Sequence, residues 1–284
     1  MTDYGHELVF GSFLTPSAAQ PQDVVALAQA SEEAGLDLVT FQDHPYLPKF
    51  LDTWTLLSYV AARTERVHIA PNVANLPLRP AAVLARAAAS LDRLSGGRFA
   101  LGLGAGAFWD GIEAMGGRRL TPGQSIEALT EAIRIIREVW DTGQGGGVRI
   151  EGQHYRVVGA KRGPAPAHSI PIWLGAYKPR MLRLVGRMAD GCLPSLSYLP
   201  GRGSLGEMNG IIDESAAAAG RDPRAIRRLL NIGPDDATPE SLAELALQYG
   251  ISTFILGTDD ASALHRFGQE VAPAARQLVE AERG

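Results

Sequence analysis

Apolar residues in this chain come in short bursts, and each burst is followed by a stretch with helical spacing. The first four bursts are HELVFGSFL (6–14), DLVTFQ (37–42), VHIAPN (67–72) and RFALGLG (98–104). The second four are IPIWLGA (170–176), DGCLPS (190–195), RRLLNIG (227–233) and STFILGT (252–258). They are apolar runs rather than strict alternations, the pattern of strands covered on both faces. Between them, apolar positions recur three and four apart. PQDVVALAQASEEAGL starts on a proline and an acid and stops at Gly35, and the segment 121–143 opens on Thr121 and Pro122 as cap and first turn. Stretches of the same kind lie at 53–65, 80–97, 178–189, 206–220, 238–250 and 261–282. Eight strands alternating with eight helices predict an α/β fold, a (β/α)8 TIM barrel. An open, doubly wound sheet is the alternative.

One region breaks the alternation. From 141 to 169 there is no helical period, and VRIEGQHYRVV carries two short alternating runs around Glu151 and Gly152, which predicts a hairpin. Gly- and Pro-rich flanks surround it, and GQGGG reads as a mobile loop. We read the whole chain, 1–284, as one domain with an insertion at about 141–169, after the fourth βα unit.

Composition narrows the classes. The chain has 284 residues, 45% hydrophobic and 20% charged, enough for a sizeable core. Its net charge of −4 gives no basic footprint for nucleic acid. No apolar run is long enough to span a membrane, and MTDYGHELVF lacks the layout of a signal peptide. The single cysteine, Cys192, sits in an apolar run and reads as core filler. A cytoplasmic protein is expected.

Barrel active sites lie at the C-terminal ends of the strands. There the second strand ends on Asp43 and His44. The third ends near Asn72, Asn75 and Arg79, and Arg79 is also suited to anchoring the next helix. The fourth ends in Gly102, Gly104 and Gly106, where bare backbone admits a flat ligand or allows tight packing. The fifth ends in Gly175 and Ala176, with Tyr177 and Lys178 before Pro179. A helix start flanked by Lys178 and Arg180 is a natural phosphate seat. Of 27 Lys plus Arg, only Lys49, Lys161 and Lys178 are lysines, so a lysine there is not generic decoration. The histidines do not fall into a metal-ligand pattern, and no metal is expected. No Gly-x-Ser-x-Gly elbow occurs.

The ordered set QDHP (42–45), RPAAVLARAAASLDRLSGGRFALGLGAG (79–106), GVRIEGQHYRV, IPIWLGAYKPRMLRLVGRMADG (170–191) and RFGQEVAPAARQ resembles the luciferase-like oxidoreductases that use a flavin or a deazaflavin. The resemblance spans nearly the whole chain. It implies a (β/α)8 barrel with an insertion after strand four and a ring cofactor in the mouth. It places that cofactor against Asn72, Val73, Ala74, Gly104, Ala105, Gly106, Gly175, Ala176 and Tyr177, with its phosphate at Lys178 and Arg180. His44 and Asp43 are then the catalytic candidates. Asp43-His44 resembles the branch that uses coenzyme F-420, where flavin branches carry Glu-His-His-like residues. The resemblance therefore implies hydride transfer between F-420 and a small organic substrate. An FMN-dependent two-component monooxygenase is the alternative, and a non-catalytic flavin-binding member is the second. It also implies a homodimer and, for some members, a flavin or F-420 reductase as partner. Two positions depart from the sugar-phosphate dehydrogenases of that branch. Ala107 replaces a glutamate and Pro48 an aromatic, which puts glucose 6-phosphate in doubt. Phe13, Tyr46, Trp54, Phe108 and Trp109 suit an apolar or conjugated substrate, or barrel packing.

Overall fold

The computed structural model describes residues 2–284. Its main sheet holds β1 (Val9–Leu14), β2 (Leu38–Phe41), β3 (His68–Pro71), β4 (Ala74–Asn75) and β5 (Leu101–Gly104). A separate hairpin, β6 (Gly147–Glu151) and β7 (Arg156–Lys161), follows, and then β8 (Ile172–Leu174), β9 (Gly191–Cys192), β10 (Arg227–Ile232) and β11 (Thr253–Gly257) complete the main sheet. The main sheet runs β3-β2-β1-β11-β10-β9-β8-β5-β4 with parallel neighbours. A parallel bridge between Ile69 and Phe99 joins its two ends and closes a barrel. β3 and β4 are two halves of one broken stave, so the barrel has the eight staves expected.

Ten α-helices occur among the described residues: α1 (Pro21–Glu33), α2 (Thr53–Ala61), α3 (Ala81–Leu94), α4 (Trp109–Ala114), α5 (Pro122–Trp140), α6 (Pro179–Met188), α7 (Gly203–Ala218), α8 (Pro239–Tyr249), α9 (Ala261–Arg266) and α10 (Ala272–Arg283). The short α4 was not anticipated, and the expected helix over 261–282 is divided by a π-helical segment at Phe267–Val271. Local chemistry explains the long helix α5. Thr121 accepts from the Gln124 amide while the Gln124 side chain takes the Thr121 N–H, a closed capping box. Ala128, Leu129, Ala132, Ile133 and Ile136 then form one buried stripe.

Two apolar layers result. Leu38, Ala70, Ala100, Trp173, Leu193, Leu229 and Ile255 fill the barrel lumen, with Val9, Phe13 and Val73 packed against them. A much larger annulus lies between strands and helices. Cys192 belongs to that annulus, and burial pushes its thiol up to about 12, so it is filler rather than a nucleophile. The expected hairpin is present, and its turn is pinned to α5. The Glu131 carboxylate on α5 accepts N–H bonds from Gln153, His154 and Tyr155 at 2.8, 3.0 and 2.9 Å, holding the hairpin turn to the helix. No described helix is long and apolar enough to cross a membrane.

Candidate active site

The C-terminal ends of the staves surround a cavity of about 520 Å³. Phe13, Val73 and Leu193 line it and also pack into the lumen layer, so they form its floor. Above that floor, β2 presents Gln42, Asp43 and His44, the β3–β4 break presents Asn72 to Asn75, and β5 ends in Gly104, Ala105 and Gly106. β8 contributes Gly175, Tyr177 and Lys178, β9 leads to Ser195, and β10 ends in Asn231.

Asp43 is not free to react. Its buried carboxylate takes Arg79 Nε and Nη2 at 2.7 and 2.8 Å, and the Asn75 backbone N–H at 2.8 Å. Arg79 Nη2 also reaches Asp52 at 2.7 Å, and Asp52 caps α2 by accepting from the Thr55 N–H. This chain of charge ties the end of β2 to the β3–β4 break. Asp43, expected as catalytic, thus has both carboxylate oxygens occupied within the protein. Arg79 anchors the site rather than only the following helix. Leaving one partner of such a buried pair alone costs about 3–5 kcal/mol.

His44 faces the cavity. Its Nδ1 lies 2.6 Å from Tyr46 Oη. Whichever atom donates, Nε2 is left without a hydrogen-bond partner among the described residues. Burial holds the imidazole below its ordinary value, against the pull of the Asp43 charge, so the ring is neutral at pH 7. Burial, followed by the Asp43 charge, pushes Tyr46 up to about 12, so its phenol keeps its proton. Phe108 meets the imidazole edge-on, with ring centres 5.5 Å apart.

Across the floor runs an amide bridge that the sequence did not signal. Asn72 Nδ2 donates to Asn231 Oδ1 at 2.7 Å, and Asn231 Nδ2 donates to Asn72 Oδ1 at 3.2 Å and to Ser195 Oγ at 3.0 Å. Asn75 keeps a buried Oδ1 with no partner. Such a group is costly unless something satisfies it.

The glycines divide into two kinds. A Cβ at Gly104 would come within 2.8 Å of Val73 Cγ2, and one at Gly106 within 2.7 Å of Pro77 and 2.8 Å of Trp109. Both are demanded by the protein's own packing. At Gly175 a Cβ would make only ordinary contact, 3.4 Å from Val73, so its bareness leaves the wall open without being needed for packing. Beyond Gly175, α6 starts with Lys178 as N-cap, no capping side chain and Pro179 in the first turn. Lys178 and Met181 line the cavity there. Tyr177 turns inward and accepts the Ser195 N–H at 2.9 Å.

Two expected cofactor contacts fall outside the cavity. Arg180 does not line the cavity. It is exposed, and its guanidinium lies over Gly123 at the start of α5. Ala176 is fully packed in the annulus and offers nothing to the mouth. Of the two uses open to Trp54, packing is the one seen: it stands against Phe99 and Arg79. Val73, Ala74 and Ala105 line the cavity as expected. Among the described residues, no group of three His, Cys, Asp or Glu side chains stands close enough to hold a metal.

Comparison with known proteins agrees with this architecture. The model of the luciferase-like monooxygenase family matches residues 3–284. The chain belongs to that family. It is 32% identical to an F-420-dependent glucose-6-phosphate dehydrogenase of Nocardia farcinica, over 78% of this chain and 67% of that protein. It is 30% identical to a 5,10-methylenetetrahydromethanopterin reductase of Methanolobus tindarius, over 95% of this chain and 77% of that one. Against the glucose-6-phosphate dehydrogenase of Amycolatopsis mediterranei, 34% identical, the match covers 60% of this chain and 52% of the relative, so the chain spans about half to three quarters of these relatives' length. Among solved structures, an F-420-dependent secondary alcohol dehydrogenase superposes with a TM-score of 0.83 at 18% identity, covering 95% of this chain and 99% of that one. At that identity the likeness concerns the fold.

Proposed function

We propose that this luciferase-like protein is an oxidoreductase that transfers hydride between coenzyme F-420 and a small organic substrate. The observation that carries the reading is the pairing of two features across one cavity. On one side is a neutral imidazole with an open Nε2. On the other is an uncapped helix start beside Lys178. The residues fit a ring with an anionic tail. Asn75 Oδ1 lacks a partner, Gly175 leaves the wall bare, and the free amides at the start of α6 suit a phosphate. The F-420 names of relatives at 30–34% identity favour this coenzyme over FMN.

When bound, a deazaflavin gives or takes hydride at the carbon that replaces flavin N5 and does not usefully activate oxygen. The chain's part is orientation and proton handling. Lys178 and the α6 amides would hold the tail, and the Asn72–Asn231 bridge ties β3 to β10 across the floor. Asp43, clamped by Arg79, fixes the turn that carries His44. His44 Nε2 exchanges the proton of the substrate oxygen while Tyr46 holds Nδ1. His44→Ala should lower turnover, followed by the coenzyme's absorbance, about 10²–10⁴-fold. Its coenzyme affinity should stay within a few-fold of the parent. Equal loss of affinity and turnover contradicts the assignment of His44 to the proton step.

A further inference from the structure

We propose, resting on the reading above, that the mouth selects an uncharged aromatic carbonyl compound or its alcohol and has no place for a sugar phosphate. Several relatives are named glucose-6-phosphate dehydrogenases, so the distinction is a real one for this chain. A phosphate dianion brought into a cavity needs a cation or several donors to replace its water. Lys178 is the sole lysine or arginine lining this cavity among the described residues, and it stands at the coenzyme's own phosphate seat. Two neighbouring arginines are held by carboxylates, and a third stands outside the cavity lining. Arg79 is held by Asp43 and Asp52 and Arg119 by Asp110 and Glu113, while Arg180 is exposed beside Gly123 and does not line the cavity. A second phosphate would therefore meet no further cation in the lining, only the neutral His44, side-chain amides and hydroxyl groups.

What the rim does offer is aromatic. Tyr46 and Trp109 line the cavity, and Phe108 sits beside His44 with 68% of its surface exposed. Phe108 has φ of 54°, the left-handed region that a bulky residue rarely adopts. Holding a large apolar ring exposed in that conformation disfavours the free protein twice, once by backbone strain and once by hydration. Its position explains the arrangement. The ring stands edge-on to the imidazole and 6.2 Å from the Tyr46 ring, so a flat aromatic guest can lie against both with its oxygen at His44 Nε2. In the oxidising direction the carbinol C–H leaves as hydride to the coenzyme. The O–H proton passes to Nε2, and a C=O bond forms. The reducing direction reverses each transfer.

The test is equilibrium binding, so it does not depend on turnover. The full chain is saturated with coenzyme F-420, its binding checked first by fluorescence quenching. It is then titrated calorimetrically with acetophenone and, separately, with glucose 6-phosphate. Acetophenone should saturate. Phe108→Ala should weaken it about five-fold, within the range of a lost aromatic contact, while coenzyme affinity is unchanged. Phe108→Tyr should restore it. Glucose 6-phosphate should show no saturation. Saturation by glucose 6-phosphate, or acetophenone binding indifferent to Phe108→Ala, overturns this inference while the coenzyme reading stands. Failure of F-420 itself to bind overturns the parent reading.

Discussion

At the N-terminal end of the barrel lies a cavity of about 710 Å³, larger than the one at the mouth. Its walls are crowded with charge, and part of that charge is answered within the protein. Asp37 pairs with Arg276 at 3.0 Å and Arg283 with Asp3 at 2.8 Å, and His168 Nδ1 lies within hydrogen-bond distance of Asp92 at 2.8 Å. The mouth is smaller and carries little charge, and its one buried ion pair, Asp43–Arg79, is closed upon itself. What it has instead are groups left open: His44 Nε2, Asn75 Oδ1, the Lys178 ammonium and the first amides of α6. Size therefore does not locate the chemistry. Unanswered polar groups around a bare backbone do; the buried Asn75 Oδ1 in particular is unfavourable in the free protein and would be relieved by a ligand.

The largest expected difference between the two ends is in stability. Asp43→Ala leaves Arg79 half-answered in a buried setting and should cost about 3 kcal/mol. Asp37→Ala breaks a pair about one-third exposed and should cost about 1 kcal/mol after solvent screening. Urea unfolding of both variants measures this, and equal losses would remove the contrast. Next in size is the coenzyme tail. Lys178→Ala should weaken F-420 about 10–100-fold, the value of a charge-assisted hydrogen bond, while Arg180→Ala should change it less than about two-fold, the range of an exposed charge. A larger effect at Arg180 would mean that its side chain swings in from Gly123.

The smallest effect is one of pH. Burial lowers the pKa of His6, His44 and His68 from 6.5, so each is neutral in the fold where an unfolded chain would be partly protonated. The unfolded state thus binds more protons, and stability falls as pH drops through 6.5 toward the folded values. Turnover in the direction that needs His44 as base should hold down through pH 6.5 and fall only below it, since its folded pKa is lower. A rate profile breaking above 6.5 would assign the proton step to another group.

The barrel is legible in the chain because apolar bursts and helical spacing alternate cleanly, and all eight staves fall where the bursts do. Detail is lost where pairing is weak. The sixth burst, 190–195, supplies only Gly191–Cys192 as strand plus a bridge at Ser195, and the third is broken after Pro71. In the site, His44 and Lys178 are readable because a strand end and a helix start have sequence markers. Asn231 is not, because it sits inside RRLLNIG and its partner Asn72 is 159 residues away. The role of Tyr46 is hidden for a similar reason. An aromatic near a histidine has many possible partners, and only coordinates show its hydroxyl on Nδ1. Arg180 misleads because proximity to Pro179 says nothing about which side of the helix turn it occupies.

The central claim is that the mouth holds a deazaflavin by its ring and its anionic tail. Titrating coenzyme F-420 and FMN separately into the full chain, with coenzyme fluorescence as the signal, tests it directly. Saturable quenching by F-420, clearly tighter than FMN and weakened by Lys178→Ala, is the predicted result. Tight FMN binding with no response to F-420, or F-420 binding untouched by Lys178→Ala, would contradict it.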